Sequence, residues 1–407
     1  MLFVGWDWAN ETHDVSVLDQ EGNLLDRWAL RHDEEGIDAA LARLASHGAR
    51  GELPVAIETT SGVIVDRLLE AGHPVVPIHP NAFNAARPRW GASRAKSDPG
   101  DSFELADYLR TDGHRLRRLE PLDPATAELQ ALSRLRSDQV EAKTAATNQL
   151  RATLRRHWPG AAVIFRRLDS EIALAFLEDY PTPQSAARLG EGRLAMFCRR
   201  HSYSGRRSAT ELLERLRAAP APTQAIGPET LVELVRVQVR QLRALLVNVA
   251  DLDRALGAGL LEHTKAPLLA PMPRIGEVNL AQVIAEVGPL LARARDVEEA
   301  CALVGATPVT KESGKGRAVN FRWAVNTGAR QALSIFADNS RHASPWAAQL
   351  YADARARGKR HPHAIRILMR AWLRVMWVCW HSESAYDPTI HGAERRHAQQ
   401  EVQEMAA

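Results

Sequence analysis

The sequence predicts an α/β domain followed by a mostly all-α remainder, and three observations carry that prediction. Short apolar runs of strand length alternate with helix-length stretches over residues 1–120. Glu128 to Trp158 contains no Gly or Pro, and Gly227 to Leu256 repeats its apolar residues every seven positions, the mark of long paired helices.

Leu2-Phe3-Val4-Gly5-Trp6-Asp7-Trp8-Ala9 is an apolar run whose only charge is Asp7. An ionised group there is costly to bury unless it is paired or coordinates a cation, so Asp7 reads as a metal ligand or as an edge residue. Asp14 to Asp19 and Leu24 to Leu30, separated by Gln20-Glu21-Gly22-Asn23, read as a hairpin, so three antiparallel strands open the chain. A helix is expected from Glu34 to Ser46. Pro54-Val55-Ala56-Ile57-Glu58 is a further strand that ends on an acid. Thr59-Thr60-Ser61-Gly62 breaks it, a helical stretch runs from Val63 to Ala71, and Pro74 to Ile78 gives another strand. Sites in open α/β sheets gather at the carboxyl ends of strands, where Glu58 falls.

Arg94 to Leu109 begins like a helix start, with Asp98 and Asp101 three apart and therefore on one face. Helix capping explains either acid taken alone. Joined with Asp7 and Glu58, they make four oxygen donors able to hold Mg²⁺, with Mn²⁺ the other candidate. Two such ions, roughly 3.5–4 Å apart, would polarise a phosphate and activate the attacking oxygen.

The order of Asp7 in the first strand, Ile57-Glu58-Thr59-Thr60 with Gly62, then Lys96-Ser97-Asp98 with Asp101 and Leu105-Ala106 resembles the DEDD transposases of bacterial insertion sequences. This is the insertion sequence one-ten family, whose N-terminal domain is similar to the RuvC Holliday-junction resolvase. Invertases of pilin genes share the pattern. The resemblance implies an RNase-H/RuvC-like mixed sheet holding the metal in residues 1–120, and the seven-residue repeat points to a helical coiled-coil linker with an insertion in 121–260. The resemblance further implies a mostly helical transposase domain in 261–385, before a polar tail, 386–407.

In the C-terminal third, Ala270 to Gly288 resembles the helix-hairpin-helix opening of the family's second domain, and an ordinary helix turn explains it equally. Ala302 to Pro308 and Glu312-Ser313-Gly314-Lys315-Gly316-Arg317 match the stretch where the family carries a Ser-Gly motif with a nucleophilic serine, so that role transfers to Ser313. Glu312 stands where the family pattern has glutamine. On the residues themselves, Ser313 is a small hydroxyl on a Gly-rich loop among Lys311, Lys315, Arg317 and Arg322. With Lys96, these are the candidate nucleic-acid contacts. A serine hydroxyl is a weak nucleophile until a base or metal activates it. Without the resemblance the segment reads as a flexible basic loop. It is no Walker loop, because its first glycine would fall at Val309 and no Ser or Thr follows Lys315. Trp372, Met376 and Trp380 lie four apart and read as core packing, and His361 and His363 as solvated histidines.

The two long helices could pair within one chain or between two, and Gln238 interrupts the seam with one polar residue that can set register or oligomer state. Pro159 to Pro222 is mixed and arginine-rich, compatible with RNA or DNA binding and with a solvated insertion; it predicts no particular fold. All but six of the 52 basic residues are arginine, which suits phosphate and also follows from a GC-rich genome. Net charge is only +3 and three distant cysteines outline no disulfide framework. No signal peptide and no membrane-length apolar run are present, so a cytoplasmic protein acting on DNA is expected.

The resemblance implies a transposase that exchanges DNA strands through a phosphoserine intermediate. It also implies a bridge RNA whose loops pair with donor and target DNA, and assembly as homodimers and homotetramers. Two other readings are a RuvC-like endonuclease in which metal-activated water hydrolyses DNA, and a non-catalytic nucleic-acid-binding protein whose acids only cap helices.

Overall fold

The computed structural model describes residues 1–90, 98–221, 226–313 and 316–392. The chain divides into two units, Met1–Leu122 and Asp123–Ala407.

In the first, β1 (Phe3–Asp7), β2 (Thr12–Leu18) and β3 (Leu24–Arg31) form the expected antiparallel meander. Its turn is closed by Asp19, whose carboxylate accepts from the Asn23 backbone and side-chain amides at 2.8 and 2.9 Å, and by Gly22 at a φ of 91°. Helix α1 (Glu34–Ala45) starts at Asp33, which accepts from the Gly36 amide. Then β4 (Val55–Ile57), α2 (Val63–Glu70) and β5 (Val75–Pro77) complete a mixed sheet of order β3-β2-β1-β4-β5, in which β4 runs parallel to both β1 and β5. Helix α3 (Pro80–Ala86), a 3-10 turn at Arg87–Arg89 and α4 (Asp98–Asp112) finish the unit.

The period of two along a strand sorts its side chains between faces. Val4, Trp6, Val15, Val17, Val55 and Ile57 pack on one face against Ile37 and Leu44 of α1 and Ile64 and Leu68 of α2. Ala56 and Val76 face the other way, against Phe83, Leu105 and Leu109 from α3 and α4. Each large aliphatic side chain buried in these layers contributes about 1.5–3 kcal/mol. At Gly5, an added Cβ would stand 1.9 Å from the Ser102 carbonyl oxygen and 2.5 Å from the Ala106 nitrogen, so α4 lies directly on β1 and only glycine admits it. Ser16 and Ser102 hydroxyls meet at 2.8 Å across the same contact.

Among its described residues, the second unit is helical apart from one hairpin. Helix α5 (Pro124–His157) begins at Asp123, whose carboxylate caps the Thr126 amide at 3.0 Å. Four helices, α6 (Pro159–Val163), α7 (Glu171–Asp179), α8 (Glu191–Arg200) and α9 (Ala209–Ala218), fill the stretch for which the sequence suggested no fold. They enclose an aromatic core of Trp158, Phe165, Phe176 and Phe197. Helix α10 (Pro228–Glu262) returns along α5, so the two long helices pair within the chain. Within the seven-residue repeat of 227–256, Leu231, Val235 and Leu242 are buried in one core with Leu150 and Leu154 of α5, while Leu256 joins the next core. Gln238 donates to Thr153 at 3.1 Å.

The remainder comprises α11 (Ala266–Leu269), α12 (Glu277–Gln282), a π-helical turn Val283–Val287, α13 (Gly288–Arg293) and α14 (Val297–Val304). A hairpin of β6 (Val309–Ser313) and β7 (Gly316–Asn320) follows, then α15 (Thr327–Ser340), α16 (Pro345–Ala356) and α17 (His361–His381). The segment read as a flexible loop is therefore two paired strands. Trp372 and Met376 are fully buried with Phe336 and Leu368, as core packing requires, and Tyr386 covers Trp372. No helix among the described residues is long and apolar enough to cross a membrane.

Candidate active site and basic hairpin

Asp7 ends β1 on the face that α4 covers, because Gly5, two residues earlier, touches that helix. Trp6 and Ile57 are parallel partners, so Asp7 and Glu58 come next to each other at the carboxyl ends of neighbouring strands. Both are half-buried. Asp98 and Asp101 open α4, which packs against β1 and β4. The Asp98 side chain lies outside the described residues. Asp101 is 3% exposed and accepts from the Arg87 guanidinium at 2.8 Å.

Three residues that the sequence did not single out complete this corner. Asp14 is the antiparallel partner of Asp7, so two acids oppose each other on one face, an arrangement that like charges make unfavourable unless a cation is shared. Alternation with Ser16 was the signal for it. Glu104 stands one helical turn from Asp101, 3.6 Å from Arg87. Its Oε2 is buried with no hydrogen-bond partner among the described residues. Burial pushes the Glu104 carboxyl above its ordinary range, Arg87 opposes the shift and Asp101 adds to it. Arg87 also donates to Asn84 at 3.1 Å and lies over the Phe83 ring at 4.7 Å. Its hydrogen bond to Asp101, with the charges of Glu104 and Glu58 further out, raises its pKa. Nothing local in the sequence marks Arg87, whose role depends on the approach of α4.

Carboxylate oxygens are the hard donors that Mg²⁺ and Mn²⁺ take, and the Glu104 Oε2, which has Arg87 nearby but no hydrogen bond among the described residues, is one more such donor, so the chemistry of the set fits a divalent ion. Among the described residues no three acids, histidines or cysteines stand close enough to enclose one, and Arg87 is the cation that Asp101 holds.

Ser313 ends β6 and is paired with Gly316 across the hairpin tip. Lys96 and Lys315 lie outside the described residues, as do the side chains of Lys311, Ser313 and Arg317. Glu312 is exposed, and Arg322 donates to the Thr307 carbonyl at 3.4 Å.

A family profile for DEDD transposases of the IS110 type matches residues 4–159, and a second, described as transposase of the IS116/IS110/IS902 family, matches residues 266–352. The IS117 mini-circle protein of Streptomyces coelicolor is 34% identical over 403 residues, 95% of each chain. This chain belongs to the IS110 family of transposases. The 43.6 kDa protein of insertion element IS110, also from Streptomyces coelicolor, is 30% identical to it over 301 residues, 72% of each chain. The 42 kDa protein of insertion element IS900 from Mycobacterium paratuberculosis is 25% identical over 399 residues, 95% of this chain and 97% of its own. As an insertion-sequence transposase the chain is a DNA-processing enzyme, and the DEDD type implies use of a divalent metal. The IS110-type match contains Asp7, Glu58, Asp98 and Asp101, and the second contains the hairpin with Ser313 and Arg322. A small mixed sheet ahead of a helical body agrees with an RNase-H-like DEDD domain.

Proposed function

We propose that this IS110-family transposase recombines donor and target DNA with Ser313 as nucleophile and with Asp7, Glu58, Asp98 and Asp101 holding Mg²⁺. What supports the acidic half is the adjacency of Asp7 and Glu58 at the carboxyl ends of β1 and β4, with α4, which opens on Asp98 and Asp101, packed against both strands. Bound there, Mg²⁺, or Mn²⁺ in its place, would neutralise phosphate charge. The serine half is supported by the position of Ser313 at the tip of a hairpin inside the matched transposase segment. A bond forms between the Ser313 Oγ and phosphorus, and the bond from phosphorus to a deoxyribose oxygen breaks. That oxygen leaves with the electron pair and takes a proton, while the serine proton goes to a base. A second strand's hydroxyl reverses the step and frees the serine.

Sequence choice falls to a bridge RNA that pairs with donor and target, and the working form is a homodimer or homotetramer. Exposed arginines around α8 and α9, including Arg199, Arg206 and Arg207, are available for its backbone. The test is a denaturing gel of labelled DNA incubated with the enzyme, its guide RNA and Mg²⁺. A protein-linked DNA band is expected in wild type and absent in Ser313→Ala and Asp7→Ala. Cleavage of equal strength without any linked band would assign the chemistry to water and remove Ser313 from it.

A further inference from the structure

Helix α17 carries Arg366, Arg370 and Arg374 at spacings of four, hence as one stripe, and that stripe lines a cavity of about 490 Å³ behind the hairpin. Phe321 and Arg322 form the facing wall. Arg370 and Arg374 converge on one acid, Glu298, at 2.5 and 2.6 Å. Arg366 and Arg330 have no carboxylate partner among the described residues. They lie instead over the Phe321 ring, at 5.0 and 4.5 Å from its centre. Burial lowers the pKa of both, and Arg366 lowers that of Arg330 further, so they crowd one another.

The crowding is built into the backbone. Gly305 has a φ of 80°, and a Cβ there would stand 2.3 Å from the Arg330 guanidinium, so a glycine makes room for the cation. Arg330 is further fixed by donating to the Arg322 carbonyl. Arg322, Arg366, Arg370 and Arg374 thus line one recess, with Arg330 against Phe321 beside it, and Glu298 answers only Arg370 and Arg374, so the charge left over favours an anion of the opposite sign. At its edge, Trp323 is 81% exposed and its ring meets Phe321 at 4.8 Å. An indole left so bare beside a cationic recess offers a base a face to stack on while the arginines grip its phosphate.

We propose that this cavity seats the phosphodiester of an unpaired nucleotide whose base stacks on Trp323. The proposal deepens the DNA-processing reading and needs neither Ser313 nor a metal ion. A single strand of DNA and one of RNA present the same phosphate and base, so both are tested.

The experiment measures anisotropy of labelled single-stranded DNA, single-stranded RNA and blunt duplex DNA on the full chain in EDTA, with inorganic phosphate as competitor. Trp323→Ala removes an exposed side chain and leaves the core intact. It should weaken binding of the single strand about tenfold while changing duplex binding less than twofold. Arg366→Gln should weaken every nucleic acid, reduce the slope of log affinity against log salt by about 0.7, and abolish competition by phosphate beyond that of chloride at equal ionic strength. Whichever single strand shows the Trp323 effect identifies the source. Wild-type affinity in Trp323→Ala, or an equal loss on duplex, overturns the proposal, and so does an unchanged salt slope in Arg366→Gln. The same titrations on Ser313→Ala keep the two readings apart, since a failed nucleophile leaves this binding whole.

Discussion

The Arg87–Asp101 pair sits with side chains 14% and 4% exposed, so water screens neither charge well. Removing one partner of such a pair strands the other's charge in a poorly solvated place, a cost of about 3–5 kcal/mol, whereas removing both charges costs far less. Arg87→Ala is therefore expected to destabilise the first unit by about that amount, and Arg87→Met with Asp101→Asn to recover most of the loss. Urea denaturation of both variants measures it, and a single-variant loss below about 1 kcal/mol would show that Asp101 finds another counter-charge. None of this was legible in the sequence. Asp101 could be read as a helix cap or a ligand, but its counter-ion comes from a turn 14 residues earlier, and only folding brings the two together. Asp7 could be singled out because a lone charge in an apolar strand demands a partner wherever the strand goes.

Among the elements, the sheet could be read strand by strand because period-two alternation and Gly-containing turns are local signals. The way α4 lies on β1 could not, since Gly5 in a strand looks like a weakness until a helix backbone is found against it. The four helices of 159–218 were missed for a different reason. They are short, and their clearest mark is Ser208 with Glu211, a capping box that the Gly and Arg residues before it obscured. The heptad repeat of α10 was plain, but such a repeat does not say whether its partner is the same chain; α5 answers that. Gln238 tests the pairing. Its Oε1 is buried without a hydrogen bond among the described residues while its amide reaches Thr153, whose own hydroxyl also donates to the Gln149 carbonyl at 3.2 Å. Gln238→Leu removes the orphan oxygen and leaves Thr153 satisfied, so the variant should be as stable as wild type or up to about 1 kcal/mol more so. Sedimentation should show the same assembly as wild type. A change of oligomeric state on this substitution would mean that the residue sits in a seam between chains.

For the whole molecule, two units with separate cores should unfold as two transitions, since cooperativity follows the core that is lost. The acids sit in one of them and the basic hairpin in the other. An ion that binds the native state alone stabilises it by mass action, about 2.7 kcal/mol at 100 times its dissociation constant. Mg²⁺ should therefore raise the transition of the first unit and leave that of the second in place. EDTA should reverse the rise. Asp7→Ala should keep both transitions but lose the response to Mg²⁺, because the substitution removes one donor and leaves Glu58 and the α4 acids without the geometry that β1 provides. Calorimetry of the two proteins with Mg²⁺ or EDTA reads this directly. Equal shifts in wild type and Asp7→Ala would place the ion elsewhere, whereas a shift confined to the second transition would tie the metal to the helical unit and detach the four acids from the chemistry.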